Sequence, residues 1–164
     1  MKILFITMTL AICFIITVYK VDNIKKHTLA VRQCVMMIDN IEILLNHTNI
    51  TVEKIIDSLL LSDNYYLLSF LKEIHISLLN SDFDNGIITK NNCIFFDKED
   101  LTFINGFFSN FGKSDVYGQI SNCKLYKEFL KTKLSKLENE EKNNCKSTSV
   151  MIMGIGFAVL MIMV

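Results

Sequence analysis

Apolar residues are concentrated in two uncharged runs at the ends of the chain and in helical stripes between them. Residues 3–19 form an uncharged run of 17 residues, and residues 147–164 form one of 18. At 1.5 Å per residue these helices would measure about 25 to 27 Å, close to the roughly 30 Å of a bilayer's hydrocarbon core. The pattern predicts transmembrane helices at 1–19 and 147–164.

The first run has an alternative interpretation as a cleaved signal peptide, because Lys2 supplies a positively charged start. No pair of small residues spaced as in A-x-A follows near Tyr19, which favours a retained helix. Basic residues then decide the orientation, since they gather on the inner flanks of both runs: Lys20, Lys25, Lys26, Arg32, Lys131, Lys133, Lys136, Lys142 and Lys146. By the positive-inside rule, residues 20–146 are expected to be cytoplasmic.

Residues 20–146 carry apolar side chains at three- and four-residue spacing, which is typical of amphipathic helices. These side chains are Ile24, Val31, Val35, Ile38, Ile41, Leu45, then Val52, Ile55, Ile56, Leu59, Leu60, then Leu67, Phe70, Leu71, Ile74, Leu78, then Leu101, Ile104, Phe108, Phe111, and last Val116, Ile120, Cys123, Leu130, Leu134, Leu137. The prediction is an all-α bundle of about five to six helices, flanked by an N-terminal and a C-terminal transmembrane helix. Residues 81–86, Ser-Asp-Phe-Asp-Asn-Gly, are typical of a turn, and a β-hairpin at residues 86–96 is the alternative interpretation of the segment that follows.

Capping chemistry places the helix ends. Thr51 is a plausible N-cap, a helix is expected directly after Asp63, and Asp97 can cap a helix with Asp100 at its N3 position. Gly112 is well placed to end that helix in a left-handed conformation. The last helix is expected to begin at a cap supplied by Ser114 or Asp115.

The seam of the last helix is interrupted by Lys127, which we expect to lay its stem along the seam and send its ammonium group to water. Lys124, Lys127 and Lys131 share a face that could meet an acidic partner or lipid head groups, although a solvated face is the simpler interpretation. Gly154 and Ala158 would permit close contact between helices near the C-terminus.

Composition narrows the classes of function. The chain has 17 basic and 17 acidic residues, and this zero net charge argues against nucleic acid as a partner. Proline is absent, which favours long helices. Its five cysteines are an odd number without a C-x-x-C motif, which indicates a reducing compartment.

Catalytic or ligand-binding patterns are weak. Gly112, Lys113 and Ser114 resemble the end of a phosphate-binding loop, but Phe107 stands where that loop requires glycine. The three histidines are scattered without metal-ligand spacing. Cys34 and Cys123 are better interpreted as small core residues than as nucleophiles. We therefore expect no enzyme activity, no cofactor and no metal.

One short motif resembles a known family. Residues 111–115 read Phe-Gly-Lys-Ser-Asp and are followed by Gln119, a glutamate-containing charged helix and a terminal apolar run. This order is similar to L-G-x-S-D-x-x-x-Q in the stage III sporulation protein AB family. Arg32 and the Glu42-Ile43 pair match the looser N-terminal pattern, whereas Thr48-Asn49 stands where the family commonly has Thr-Pro.

The resemblance implies a membrane protein of the mother cell, in the membrane that surrounds the forespore of an endospore-forming bacterium. The helical domain would be similar to cytoplasmic domains of the platform protein of type II secretion and type IV pilus systems. It would couple a cytoplasmic secretion-type ATPase to ring components of a channel between mother cell and forespore. The implied partners are the other subunits of that complex and the lipid bilayer. A homo-oligomer of the chain is a further possibility.

The structural or partner-binding candidates are Gly112, Ser114, Asp115, Gln119, Arg32 and Glu42. A rival class of function is a two-span membrane sensor or adaptor with a helical ligand-binding domain.

Overall fold

The computed structural model describes residues 2–47, 50–79, 88 and 93–163, and these residues form an all-α structure, as predicted. Its α-helices are α1 (Lys2–His47), α2 (Val52–Leu60), α3 (Phe70–Leu79), α4 (Lys98–Asn110) and α5 (Val116–Met163). A short 3-10 helix, Asp63–Tyr65, lies between α2 and α3. Within the described ranges there is no β-strand.

The two long helices contain the terminal apolar runs. Helix α1 has 46 residues and α5 has 48, so the runs are the ends of these helices and not separate flanking helices. An absence of proline is consistent with such lengths, because nothing removes a backbone donor inside either helix. In the part of the chain that the structure describes, no helix is long and apolar enough to cross a membrane. The two predicted transmembrane helices are therefore not confirmed.

The chain divides into two compact units. One comprises residues 1–28 and 135–164, and the other comprises residues 29–134. Helices α1 and α5 each contribute residues to both units, whereas α2, α3 and α4 belong to the second unit alone.

The core of the unit 29–134 follows the predicted stripes. Its fully buried large side chains include Val31, Met37, Ile38, Ile41, Ile55, Ile56, Phe70, Leu71, Ile74, Phe107 and Leu130. Helix α2 packs on α3. Phe70 of α3 meets the rings of Phe96 and Phe108 edge-on, with centroids 6.1 and 5.9 Å apart, an arrangement that aromatic pairs favour.

The unit formed by residues 1–28 and 135–164 exposes many apolar side chains near the start of α1. They include Met8, Ile12, Phe14, Ile15, Ile16, Val18 and Tyr19. Within this unit the hydroxyl of Thr17 donates to the sulfur of Met151 at 3.6 Å, and Lys26 pairs with Asp22 at 2.6 Å.

The segment after α2 differs from the prediction of a helix directly after Asp63. Ser62 accepts a hydrogen bond from the backbone of Asn64, and the side-chain oxygen of Gln33 accepts one from the backbone of Leu67 at 3.0 Å. The first bond caps the 3-10 helix Asp63–Tyr65, the second holds the backbone just after it, and α3 begins only at Phe70. Thr51 does occupy the N-cap position of α2, but its side chain makes no cap hydrogen bond.

The proposed hairpin at residues 86–96 lies largely outside the described residues. Of this segment the structure describes Ile88 and residues 93–96, and none of these is in a strand. The side chain of Asn105 in α4 binds both backbone groups of Ile88. Its side-chain oxygen accepts a hydrogen bond from the Ile88 amide at 3.2 Å, and its side-chain nitrogen donates one to the Ile88 carbonyl at 2.9 Å.

Candidate functional site

The motif that resembles the sporulation family forms the corner between α4 and α5. Helix α4 ends at Asn110, Phe111 is its C-cap, and Gly112 follows with φ of 83°. The sequence prediction of a left-handed glycine at this position is confirmed. The backbone amide of Lys113 donates to the carbonyl of Asn110 at 3.3 Å, so the turn satisfies part of the end of α4.

Asp115 is the residue that caps α5. Its carboxylate accepts a hydrogen bond from the backbone amide of Gly118 at 2.9 Å, three residues into the helix. This is the bond that an N-cap side chain makes to an otherwise unpaired amide. Ser114 contributes its carbonyl instead, which accepts from the side-chain amide of Gln119 at 2.9 Å. Gly112, Ser114, Asp115 and Gln119 are thus brought together in one corner.

Gly118 completes the corner and was not recognised from the sequence. A Cβ at this position would lie 2.9 Å from the capping oxygen of Asp115 and 3.0 Å from the side chain of Ser114. A glycine inside a helix normally costs stability relative to alanine. Here the missing side chain of Gly118 leaves room for the capping carboxylate of Asp115. The sequence signal for this role was a glycine three residues after an aspartate that caps a helix.

Asp115→Ala should lower the free energy of unfolding by roughly 0.5 to 2 kcal/mol, because the amide of Gly118 loses its acceptor. Urea unfolding of the full chain in neutral detergent measures this change. Asp115→Asn is the matched control, since its carbonyl can still accept the bond, and we expect it to retain most of the stability. Equal unfolding of wild type and Asp115→Ala would show that the cap contributes nothing.

Lys127 forms an ion pair between α5 and α1. Its ammonium group lies 2.8 Å from a carboxylate oxygen of Asp39 and also contacts the carboxylate of Glu42. The side chains of Lys127 and Glu42 are mostly buried. The hydrogen bonds that this ammonium group donates to Asp39 first, and to Glu42 second, raise the pKa of Lys127 above its usual value. The sequence prediction sent this ammonium group to water, whereas in the structure the carboxylates of α1 bind it.

This ion pair also changes the interpretation of the lysine face on α5. Lys124 and Lys131 are exposed, but Lys127 between them is engaged with Asp39 and Glu42. The three lysines therefore do not form one continuous surface for an acidic partner.

Lys127→Met should lower the free energy of unfolding by about 1 to 2 kcal/mol, because it leaves the mostly buried Glu42 without its cation. The value lies between those of exposed and fully buried pairs because Asp39 is half exposed. Lys124→Met, one turn away and exposed, is the matched control and should change stability by less than about 0.5 kcal/mol. Similar losses for both variants in urea unfolding would contradict the role of the pair.

A second lysine joins α5 to α4. The ammonium of Lys133 lies 2.6 Å from Asp100, 2.9 Å from Asp97 and 3.3 Å from Glu99. Asp100 is fully buried. Asp97 and Asp100 also form the capping box of α4. The carboxylate of Asp97 accepts a hydrogen bond from the backbone amide of Asp100 at 2.8 Å, and the carboxylate of Asp100 accepts one from the backbone amide of Asp97 at 3.1 Å. The predicted cap at Asp97 is confirmed.

The ion pairs of Lys133 with Asp97, Glu99 and Asp100 should make the stability of the fold depend on pH in the alkaline range. Burial lowers the pKa of Lys133, but the hydrogen bonds that its ammonium group donates to Asp100 and Asp97 outweigh this effect and bring the pKa to about 12. The unfolded value is about 10.4. A folded pKa above the unfolded one gives stability that is complete below about pH 10 and is lost as pH rises towards 12. Urea unfolding between pH 9 and 12 should show this loss, and Lys133→Met should reduce it.

Two cysteines that the sequence raised as candidates are core residues. Cys34 and Cys123 are both fully buried. Burial first, and the charge of Asp100 second, raise the pKa of Cys34 well above its usual value. Burial, with Glu42 adding to it, raises the pKa of Cys123 to about 12. A nucleophilic cysteine needs the opposite shift, so neither thiol is activated.

The remaining candidates lie on α1. Glu42 joins the Lys127 pair, whereas Arg32 is exposed and takes no part in the corner bonds given above. Sequence reasoning missed Lys133 and Asp39. The signal for Lys133 was its position, three residues after Leu130 and four before Leu137, which places it on the buried seam of α5.

The fold and this corner define a class: an all-helical protein whose recognisable motif joins two helices and caps the longer one. The family model for stage III sporulation protein AB matches residues 2–164, and the chain belongs to that family. It is therefore a sporulation protein, and its family implies membership of a sporulation protein complex. Neither a curated protein nor a solved structure matches the chain.

Proposed function

We propose that this chain is a membrane-attached scaffold subunit of a sporulation complex, with no catalytic step of its own. It would hold a cytoplasmic secretion-type ATPase against ring components of the channel between mother cell and forespore. The family assignment supports the sporulation role. The ATPase, the ring and the channel come from the resemblance to secretion platform proteins and are fold-level analogy.

The observation that carries the scaffold proposal is the use of the motif side chains. Asp115 caps α5, Gln119 bonds the carbonyl of Ser114, and Gly112 makes the turn. Each group is used to fix the direction in which α5 leaves α4. Because the motif side chains fix the direction of a helix, they favour a role in positioning helices for partner proteins over a role in binding a substrate.

Membrane attachment is supported by the terminal apolar runs. Residues 3–19 and 147–164 carry no charge. The side chains of Ile15 and Tyr19 on α1, and of Val150 on α5, are each exposed by more than 60%. Exposed apolar surface of this extent marks an interaction with lipid or protein. We place the chain in the mother-cell membrane around the forespore, with residues 20–146 in the cytoplasm.

The partner surface would begin at the α4–α5 corner. Tyr117 is 84% exposed in the first turn of α5, and Val116 beside it is 44% exposed. Exposed aromatic side chains are enriched where proteins bind one another. The capped corner would present both side chains in a fixed orientation, which lowers the entropy cost of binding.

Photocrosslinking from the corner tests the ATPase coupling. A photoreactive amino acid in place of Tyr117 should crosslink a secretion-type ATPase in sporulating cells. The matched control is the same residue in place of Leu61, which is 88% exposed at the end of α2. Recovery of the ATPase from position 117 and not from 61 supports the proposal. Crosslinks from 117 that never contain the ATPase would overturn the coupling.

Labelling tests the orientation separately. In intact non-sporulating cells that express the chain, whose membrane faces the medium, a membrane-impermeant maleimide should fail to label position 117 of a Tyr117→Cys variant and should label it after lysis. Labelling from outside would contradict the cytoplasmic placement and favour the two-span sensor.

A further inference from the structure

A shallow, widely open surface depression, here called the groove, lies on α5 just before and within its final uncharged run. Lys142, Cys145, Lys146 and Val150 line it. Lys142, Lys146 and Val150 follow one another at four-residue spacing and share one face of the helix, and Cys145 lies beside them, three residues after Lys142. All four belong to the unit of residues 1–28 and 135–164.

The groove is cationic at one end and apolar at the other. Lys142 and Lys146 are exposed, one turn apart, and Val150 follows one turn later with 67% of its surface exposed. The acidic residues Glu138, Glu140 and Glu141 precede the groove. They repel an anion from the earlier turns, so the favourable place for negative charge is beside the two lysines.

We propose that this groove binds the head group of an anionic phospholipid, with the phosphate between Lys142 and Lys146 and the start of an acyl chain against Val150. Basic residues next to a membrane segment attract anionic head groups in this way. The inference deepens the proposed membrane attachment and rests on it. It adds a lipid class and a site, neither of which attachment by apolar residues requires.

Lipid fits the groove better than a soluble anion does. A free phosphate would use the lysines but would gain nothing from Val150. A lipid would contact the lysines and Val150 together. Its charged head group and its acyl chain are joined in the same order in which the two lysines and Val150 follow one another along the helix. The sequence from residue 147 to residue 164 carries no charge, which suits the apolar surroundings that an acyl chain requires.

Binding of fluorescent phosphatidylglycerol to the full chain in neutral detergent micelles tests the site. We expect Lys142→Gln with Lys146→Gln to weaken binding roughly thirtyfold, the combined effect of two lysines near a head group. The matched control, Lys131→Gln with Lys136→Gln, removes the same charge from exposed positions of α5 and should change binding less than threefold. Unlabelled phosphatidylglycerol should compete, and phosphatidylcholine or inorganic phosphate at equal concentration should not.

Two results would contradict lipid binding in the groove: equal binding by the groove variant and the wild type, or equal weakening by the control pair. Competition by phosphatidylcholine or phosphate as strong as that by phosphatidylglycerol would contradict it as well. Flotation with phosphatidylcholine vesicles tests attachment itself. Wild type and the groove variant should both float, since the apolar runs suffice. If wild type does not float, the attachment proposal fails, whereas a groove failure leaves flotation unchanged.

Discussion

Lys133→Met is expected to lower the free energy of unfolding by about 3 kcal/mol, the scale of losing one partner of a buried ion pair. The ammonium of Lys133 lies 2.6 Å from Asp100, which is fully buried. Methionine replaces the stem but not the charge, so Asp100 must remain ionised in a poorly hydrated place or take up a proton. Either outcome destabilises the folded state.

Urea unfolding of the full chain in neutral detergent measures this loss. Lys136→Met is the matched control, because it removes an exposed lysine from the same helix and should cost less than about 0.5 kcal/mol. Asp100→Asn combined with Lys133→Met should cost less than the sum of the single changes, since the stranded charge is gone. Additive losses would mean that the two residues are not coupled.

Gly112→Val is expected to cost about 2 kcal/mol or more, for two independent reasons. Gly112 has φ of 83°, a region in which a side chain costs roughly 1 to 2 kcal/mol. A Cβ there would also lie 3.1 Å from a methyl carbon of Val52. The turn would have to open or Val52 would have to move, and either change disturbs the packing of α2 against the corner.

Two further variants separate these causes. Gly112→Asn should be milder than Gly112→Val, because asparagine tolerates the left-handed region better than a β-branched residue does. Val52→Ala should recover part of the loss in Gly112→Val if the contact contributes to it. Unchanged unfolding of Gly112→Val would show that the corner adopts another backbone conformation.

Both ends of α4 and the start of α5 were predictable because their chemistry is local. Asp97 and Asp100 stand three residues apart, and Gly112 directly follows the apolar C-cap Phe111, so short stretches of sequence contain the whole signal. Asp115 was one of two named caps for α5, and only geometry distinguished it from Ser114. The all-α class followed in the same way from apolar spacing and from the absence of proline.

Long-range pairs were not predictable, because they depend on how helices distant in sequence pack. Lys127 and Glu42 are separated by 85 residues, and nothing near either of them identifies the other. The late start of α3 has a similar cause, since Gln33 of α1 bonds the backbone of Leu67 across 34 residues. Helix propensity after Asp63 was outweighed by a bond that exists only in the folded protein.

Asp97 and Asp100 each take part in the capping box of α4 and in an ion pair with Lys133, which has a consequence for the order of folding. Together with Glu99 they place three carboxylates at the start of α4, Asp97 as the N-cap and the other two in the first turn, where mutual repulsion opposes the capping box that two of them form. The ammonium of Lys133 relieves that repulsion, and it arrives from a helix more than thirty residues later in the chain. The first turn of α4 should therefore mature late, once α5 has docked, rather than act as an early nucleus.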